Sequence, residues 1–535
     1  MSTLAVDRTS PAPDPGVHGA TAATPPAVTN TCGHSVATWI PAGSGPLYAV
    51  VHRPATRLAR GGILLLSPPL PGPEPLSGRI LAEALSAEGY AVLRADWSGS
   101  GESTEIGPGP GLPLLARRLD DVRALIGFAT TVLELDAIHL LAVGSARALA
   151  ALALGDPLVG AVQTSRGPTS PYRSVLLLPD PDAHASVREE GLPLPSGKPH
   201  AAWQTRVAAV VPTRGPRDRA LEAYASAVEA TLLRAEDCAD PRHAIEWLGL
   251  DDAPPQSFPV WKPLASATVT PAGAVEELVS VDGRSGVLTR PCGSARRAVL
   301  LITGPGHDRR RPGVRAVDVA RTVAGEGVAT LRLDAASDST RPSERGLTIA
   351  STEPRVQADA RAAVWLGERT GAPVSIVGCD VAGWLALRVA STHCVDHVVA
   401  VDPSRWDARR DRVKDSRTAS TTSPPWSGRW TTLLPYGAAL ALARRGRVTL
   451  AQIALERAAA RGARCDLVLG EAARSAFEHA RGESALGHLA IADHPVHVHS
   501  TGTVASIGQK ERRALILEAI LDRTDQVGHP GASES

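Results

Sequence analysis

The segment Gly378-Cys379-Asp380-Val381-Ala382-Gly383 has the make-up of a sharp bend between a strand and a helix. Small residues on both sides of the apex let the backbone turn tightly, and the apex side chain then stands exposed over the start of the helix. The apex here is Asp380, and a carboxylate in that place has two readings. As a nucleophile it forms an ester with its substrate, which a histidine-activated water then cleaves. His494, after the apolar run Leu489-Ala490-Ile491, is the candidate base, and Asp402, just past its own apolar run, is the candidate to orient it. Glu471 is an imperfect substitute for that acid. Oxyanion donors come from the backbone of Val381 and of the loop Gly304 to Gly306. As a structural residue, Asp380 only accepts hydrogen bonds from the N-terminus of the helix.

The same pattern occurs earlier as Leu140-Leu141-Ala142-Val143-Gly144-Ser145-Ala146. Aligning the strand and the small residues puts Gly144 at the apex and Ser145 one position too late, so this bend carries no nucleophile. His243 then reads as an ordinary helix-start histidine. His494, His497 and His499 lack good metal-ligand spacing, and Asp308-Arg309-Arg310-Arg311 reads as a solvated basic loop ahead of a site for an anionic substrate. No glycine-rich phosphate loop follows a strand. Neither a cofactor nor a metal is expected.

These residues need a scaffold of buried strands. Gly62-Ile63-Leu64-Leu65-Leu66 is continuously apolar, as a strand covered on both faces requires, and Ile80 to Leu85 follows with helical spacing. Ala91 to Asp96, a helix over Leu119 to Thr131, and strands over Ala137 to Leu141 and Ser174 to Leu178 complete a first series. A second series repeats it: Ala298 to Ile302, a helix from Val317 to Gly325, Val328 to Asp334, a helix from Asp359 to Gly367, Pro373 to Val377, His397 to Asp402 and Asp466 to Gly470. Leu93-Arg94-x-Asp96 and Leu331-Arg332-x-Asp334 hold the same place in the two series, so an internal duplication is expected. Strands alternating with helices imply parallel sheets covered on both faces.

The chain has 535 residues, enough for more than one core. The expected division is a flexible tail over 1–35, a domain over 36–250, a Pro-rich linker over 251–271, a domain over 272–525 with a helical cap at 403–464, and a second tail over 526–535. With 56 Lys+Arg against 55 Asp+Glu, no electrostatic pull toward nucleic acid or an anionic membrane is expected. Aromatic residues make up 3%, so the cores must be built from Ala, Val and Leu. The six scattered cysteines read as reduced thiols, and no apolar segment reaches the length of a membrane span, so a cytoplasmic protein is expected.

The turn Asp96-Trp97-Ser98-Gly99-Ser100-Gly101-Glu102-Ser103 resembles the D-x-x-G-x-G-x-S turn of α/β-hydrolases. Pro68 to Glu74, Arg311-Pro312-Gly313-Val314-Arg315 and Arg444-Arg445-Gly446-Arg447-Val448 are similar to segments of the serine-aminopeptidase-like hydrolases associated with exosortase systems. The resemblance spans most of residues 41 to 523 and implies two doubly wound α/β-hydrolase-like domains in tandem. That narrower family uses Ser or Cys where Asp380 stands, so the resemblance implies a replaced nucleophile. The second turn has also shrunk to Asp334-Ala335-Ala336-Ser337-Asp338-Ser339, without glycines. Other branches of the fold, the epoxide hydrolases and haloalkane dehalogenases, use an Asp at this apex. Two functions stay open. One is a catalytically degenerate tandem protein that binds a small molecule, a peptide or a biosynthetic partner protein. The other is a hydrolase or transferase working through Asp380, His494 and Asp402. A monomer with pseudo-twofold symmetry is expected.

Overall fold

The uninterrupted apolar runs form the centres of two sheets. The computed structural model describes residues 35–67 except 57, 76–103, 114–143 except 136 and 137, 172–178, 206–212, 231–235, 241–249, 255–302, 316–334, 352–403, 434–445, 450–491, 496–500 and 509–521, together with 146, 149, 150, 153 and 406. The first sheet contains β1 (Ser35–Ile40), β2 (Leu47–His52), β4 (Gly62–Leu66), β5 (Ala91–Ala95), β6 (Ile138–Val143), β7 (Tyr172–Leu178), β8 (Arg206–Pro212) and β9 (Thr231–Ala235). Their order is β1-β2-β5-β4-β6-β7-β8-β9; β1 and β2 are antiparallel, and β5 through β9 run parallel.

The second sheet contains β11 (Ser266–Thr268), β12 (Val275–Val281), β13 (Arg284–Arg290), β14 (Arg297–Ile302), β15 (Val328–Leu333), β16 (Val374–Cys379), β17 (His397–Val401), β18 (Arg464–Leu469) and β19 (Val496–Ser500). Its order is β11-β12-β13-β15-β14-β16-β17-β18-β19. Without β11, the two sheets share one strand order, position by position. In both, the third parallel strand of the chain lies in the middle of the sheet, and in the second half it ends at the sharp bend. The antiparallel hairpins β1–β2 and β12–β13 were not expected from the apolar runs. β12 alternates burial strictly at its start, and its glutamates at 276 and 277 mask the strand in a hydrophobicity count.

All five residues of β4 are buried, as are the last five of β14, which is the reason for their unbroken apolar sequences. One face of the second sheet is covered by the helices Thr352–Thr370, Val381–Thr392 and Ala451–Ala459, which share a core with Leu300, Ile376 and Val398. The opposite face meets the helices Ala316–Gly325 and Gln509–Leu521 through Val323, Ile516 and Ile520. The stretch expected as a cap divides in its described part. The helix Ala451–Ala459 is a regular sheet-covering helix lying against Val381–Thr392. The helix Tyr436–Arg444 instead forms a small apolar cluster with Leu450 and Ile453, and Tyr436 stacks on His488 at 4.7 Å. Residues 407–433, most of the remainder, lie outside the described residues, as do the two expected tails apart from Ser35.

The Pro-rich segment is tied to both halves. β10 (Gln256–Ser257) pairs with β3 (Leu58–Ala59), and Phe258 and Trp261 are buried in the first core. Trp261 meets Phe128 edge-on at 5.5 Å, with the Arg53 guanidinium 5.6 Å above its ring. A few residues later β11 joins the second sheet, and the backbone N–H of Trp39 donates to the carbonyl of Leu264 at 3.0 Å. Trp39, Tyr48 and Val50 of the first half then bury against Val269, Leu278 and Val287 of the second.

Candidate functional site

β16 ends at Cys379 and the next helix starts at Val381, leaving Asp380 alone at the apex with φ 56° and ψ −118°. For a residue with a Cβ that conformation costs on the order of 1–3 kcal/mol, and it persists only where the surroundings impose it. They do so here. The N–H of Asp380 donates to the carbonyl of Val401 at 2.8 Å, and its carbonyl accepts from Gly383 at 3.1 Å. A Cβ on Gly378 would lie 2.1 Å from the carbonyl oxygen of Ala382, and one on Gly383 would lie 3.0 Å from that of Val401. Only glycines allow strand and helix to approach so closely. The Asp380 carboxylate makes no capping hydrogen bond to the helix it precedes, so the capping role considered from the sequence is absent.

Asp402 follows β17, the strand beside β16, and also has a positive φ of 46°. Its N–H donates to Val468, and its Oδ1 accepts from the N–H of Gly470 at 2.6 Å, which ties the carboxyl ends of β17 and β18 together. Asp380, Val381 and Asp402 thus gather at the carboxyl edges of neighbouring strands. Glu471 opens the next helix along that edge and is exposed. His243 lies in the helix Pro241–Gly249. Gly144, Ser145, Gly304, Gly306, His494 and the run 308–311 lie outside the described residues.

The direction of the last strand bears on the base. β19 runs parallel to β18 and opens with Val496 opposite Cys465, at the amino end of the sheet. It reaches the carboxyl edge at Ser500, opposite Leu469. His494 precedes this strand in the chain, and the eight residues after it, Thr501 to Gly508, include no histidine. His497 and His499 lie within β19. The Nε2 of His499 is 3.9 Å from Oδ1 of Asp466, whose Oδ2 is 2.7 Å from Nε2 of the buried His397. This buried imidazole–carboxylate pair was not anticipated, because a lone His at the start of an apolar strand carries no local signal. Among the described residues no group of three His, Cys, Asp or Glu is arranged to hold a metal. No helix among them is long and apolar enough to cross a membrane.

In the first half, the turn from Asp96 to Ser103 is closed by internal bonds. Asp96 Oδ2 accepts from the N–H of Glu102, and Ser103 Oγ donates to the carbonyl of Asp96 at 2.6 Å. A Cβ on Gly101 would fall 2.2 Å from the Asp96 carboxylate. Asp121 accepts from the N–H and Oγ of Ser98, and burial pushes its carboxyl above the ordinary range. These polar groups hold the turn rigid.

Comparison with protein-family profiles finds no match, and comparison with curated proteins finds none either. Among solved structures, the chain is similar to a dienelactone hydrolase from Anabaena variabilis, at 18% identity and a TM-score of 0.30 over 46% of this chain and 98% of that one. It is also similar to an alpha-beta serine hydrolase homologue from Coxiella burnetii, at 16% identity and a TM-score of 0.28 over 40% of this chain and 94% of that one. A putative esterase from Staphylococcus aureus aligns at 11% identity and a TM-score of 0.29, over 47% and 84% respectively. The architecture of this chain is α/β, with two mixed sheets built on one strand order.

Proposed function

We propose that the second half binds a small molecule or peptide at the carboxyl edge of its sheet, beside Asp380, without turning it over, and that the first half has no nucleophile of its own. The observation that carries this reading is the course of the chain around β19. The segment that follows this strand in the chain, Thr501 to Gly508, has no histidine, and His494 comes two positions before Val496, which pairs at the amino end of the sheet. The strand between them spans about 13 Å. A group that moves a proton must come within about 3 Å of the reacting atoms, directly or through one water. Neither segment then supplies the histidine that turnover through an Asp380 ester requires. The test is intact-mass analysis after incubation with a panel of activated esters, lactones and epoxides. The expected result is no adduct on the wild type or on His494→Gln, with at least one compound raising Tm in the wild type and not in an Asp380→Leu variant.

A second reading is a hydrolase or transferase with Asp380 as nucleophile, His494 as base, Asp402 as orienting acid and the N–H groups of Val381, Gly304 and Gly306 around the oxyanion. The retained strain at Asp380 and its lack of a capping bond favour it. It would prevail if His494→Gln accumulated an adduct on Asp380 while the wild type turned the same compound over.

A further inference from the structure

The second half holds more buried positive charge facing the first half than it neutralises by itself. Arg332, on β15, is completely buried, and Arg321, on the helix Ala316–Gly325, is partly buried. Both guanidiniums converge on one carboxylate of their own half, Glu276 of β12. Arg332 Nη2 donates to Glu276 Oε1 at 2.6 Å, and Arg321 Nη2 donates to Oε2 at 2.8 Å. Thr289 adds a neutral acceptor at 3.2 Å from Arg332. The second negative charge comes from the first half: Glu102, in the turn after β5, pairs with Arg332 Nη1. The carbonyl of Glu102 also accepts from Arg321 at 2.5 Å.

We infer that the turn Asp96–Ser103 of the first half is a fixed counter-charge for the second, so that the second sheet depends on the first half for its native order. A buried guanidinium left without a partner is strongly unfavourable, whereas removing both members of a buried pair often costs little. The position of Arg332 makes the dependence local. Its backbone lies between Val287 on β13 and Leu301 on β14, and its side chain bonds Glu276 and Thr289 of the hairpin β12–β13. The turn serves here as a plug against the second half. Its rigidity, from Asp96, Gly101 and Ser103, keeps Glu102 in place without help from the second half.

The experiment is a charge cycle in the full-length protein with Glu102→Gln, Arg332→Met and the double variant. It is read by thermal unfolding and by hydrogen exchange resolved to peptides. Glu102→Gln should lower Tm by about 5–10 °C and raise exchange in β12, β13 and β15. The double variant should recover most of both losses. If Glu102→Gln does not fold, recovery of folding by the double variant supports the inference equally. Faster exchange confined to residues 96–103, or losses that simply add in the double variant, would overturn it.

Discussion

Asp380 occupies backbone torsions that glycine adopts without strain, and the two glycines around it leave no room for a Cβ. Asp380→Gly should therefore raise the urea midpoint of the second half, by about 1 kcal/mol once glycine's extra entropy in the unfolded chain is subtracted. An unchanged or lower midpoint would show that the carboxylate contributes interactions that outweigh its strain. Gly378→Ala should act in the opposite sense, costing several kcal/mol through the clash with the Ala382 carbonyl, read by the same titration. His52 gives a separate prediction for acid. Burial, reinforced by Arg94 and Arg79, lowers its pKa from 6.5 to about 3, and its Nε2 accepts from Arg94 at 2.8 Å. Between pH 6.5 and 3 the unfolded chain binds the proton that the folded chain refuses. The resulting stability is complete above 6.5 and is lost as pH falls, by up to about 1.4 kcal/mol per pH unit for one proton. His52→Gln should flatten Tm between pH 6.5 and 5, and a parallel shift of the whole curve would contradict the assignment. At this level the sequence was informative about Asp380, because small residues at fixed spacing leave the bend few alternatives. It was less informative about the base, since the place of His494 depends on where the last strand begins, and Leu489-Ala490-Ile491 closes the helix Gly482–Ile491 before that strand.

Strands buried on both faces could be read from composition alone, and β4, β5, β14 and β15 fall within a residue or so of their apolar runs. The hairpins could not, because β12 and β13 carry buried Glu276, Arg284 and Thr289, which are satisfied by partners distant in sequence. The segment between the halves misled for a related reason. Its prolines suggest a tether, yet two of its aromatic side chains complete the first core. Trp261→Ala should cost about 3 kcal/mol, as expected for truncating a buried aromatic, and should expose residues 255–262 to limited proteolysis. Resistance there equal to that of the wild type would mean that β10 and Phe258 anchor the segment by themselves.

Across the entire chain, the repeated strand order accounts for the sequence-level likeness between the halves, but the contacts between them could not have been foreseen. Arg332 was visible as part of a repeated Leu-Arg-x-Asp pattern, whereas its carboxylate partner in the first half lies 230 positions away. The first half's Arg94 in the same pattern instead donates to His52. Positions equivalent in the two series have thus taken different partners, so the halves are not interchangeable. The threaded segment also fixes where the chain can be divided for recombinant work. Ending the first piece near residue 250 would strip Phe128 of the indole that covers it and invite self-association through the bared patch. A division after the exposed Lys262 leaves each aromatic with the core it fills, and two fragments made that way could be mixed to ask whether they reassemble.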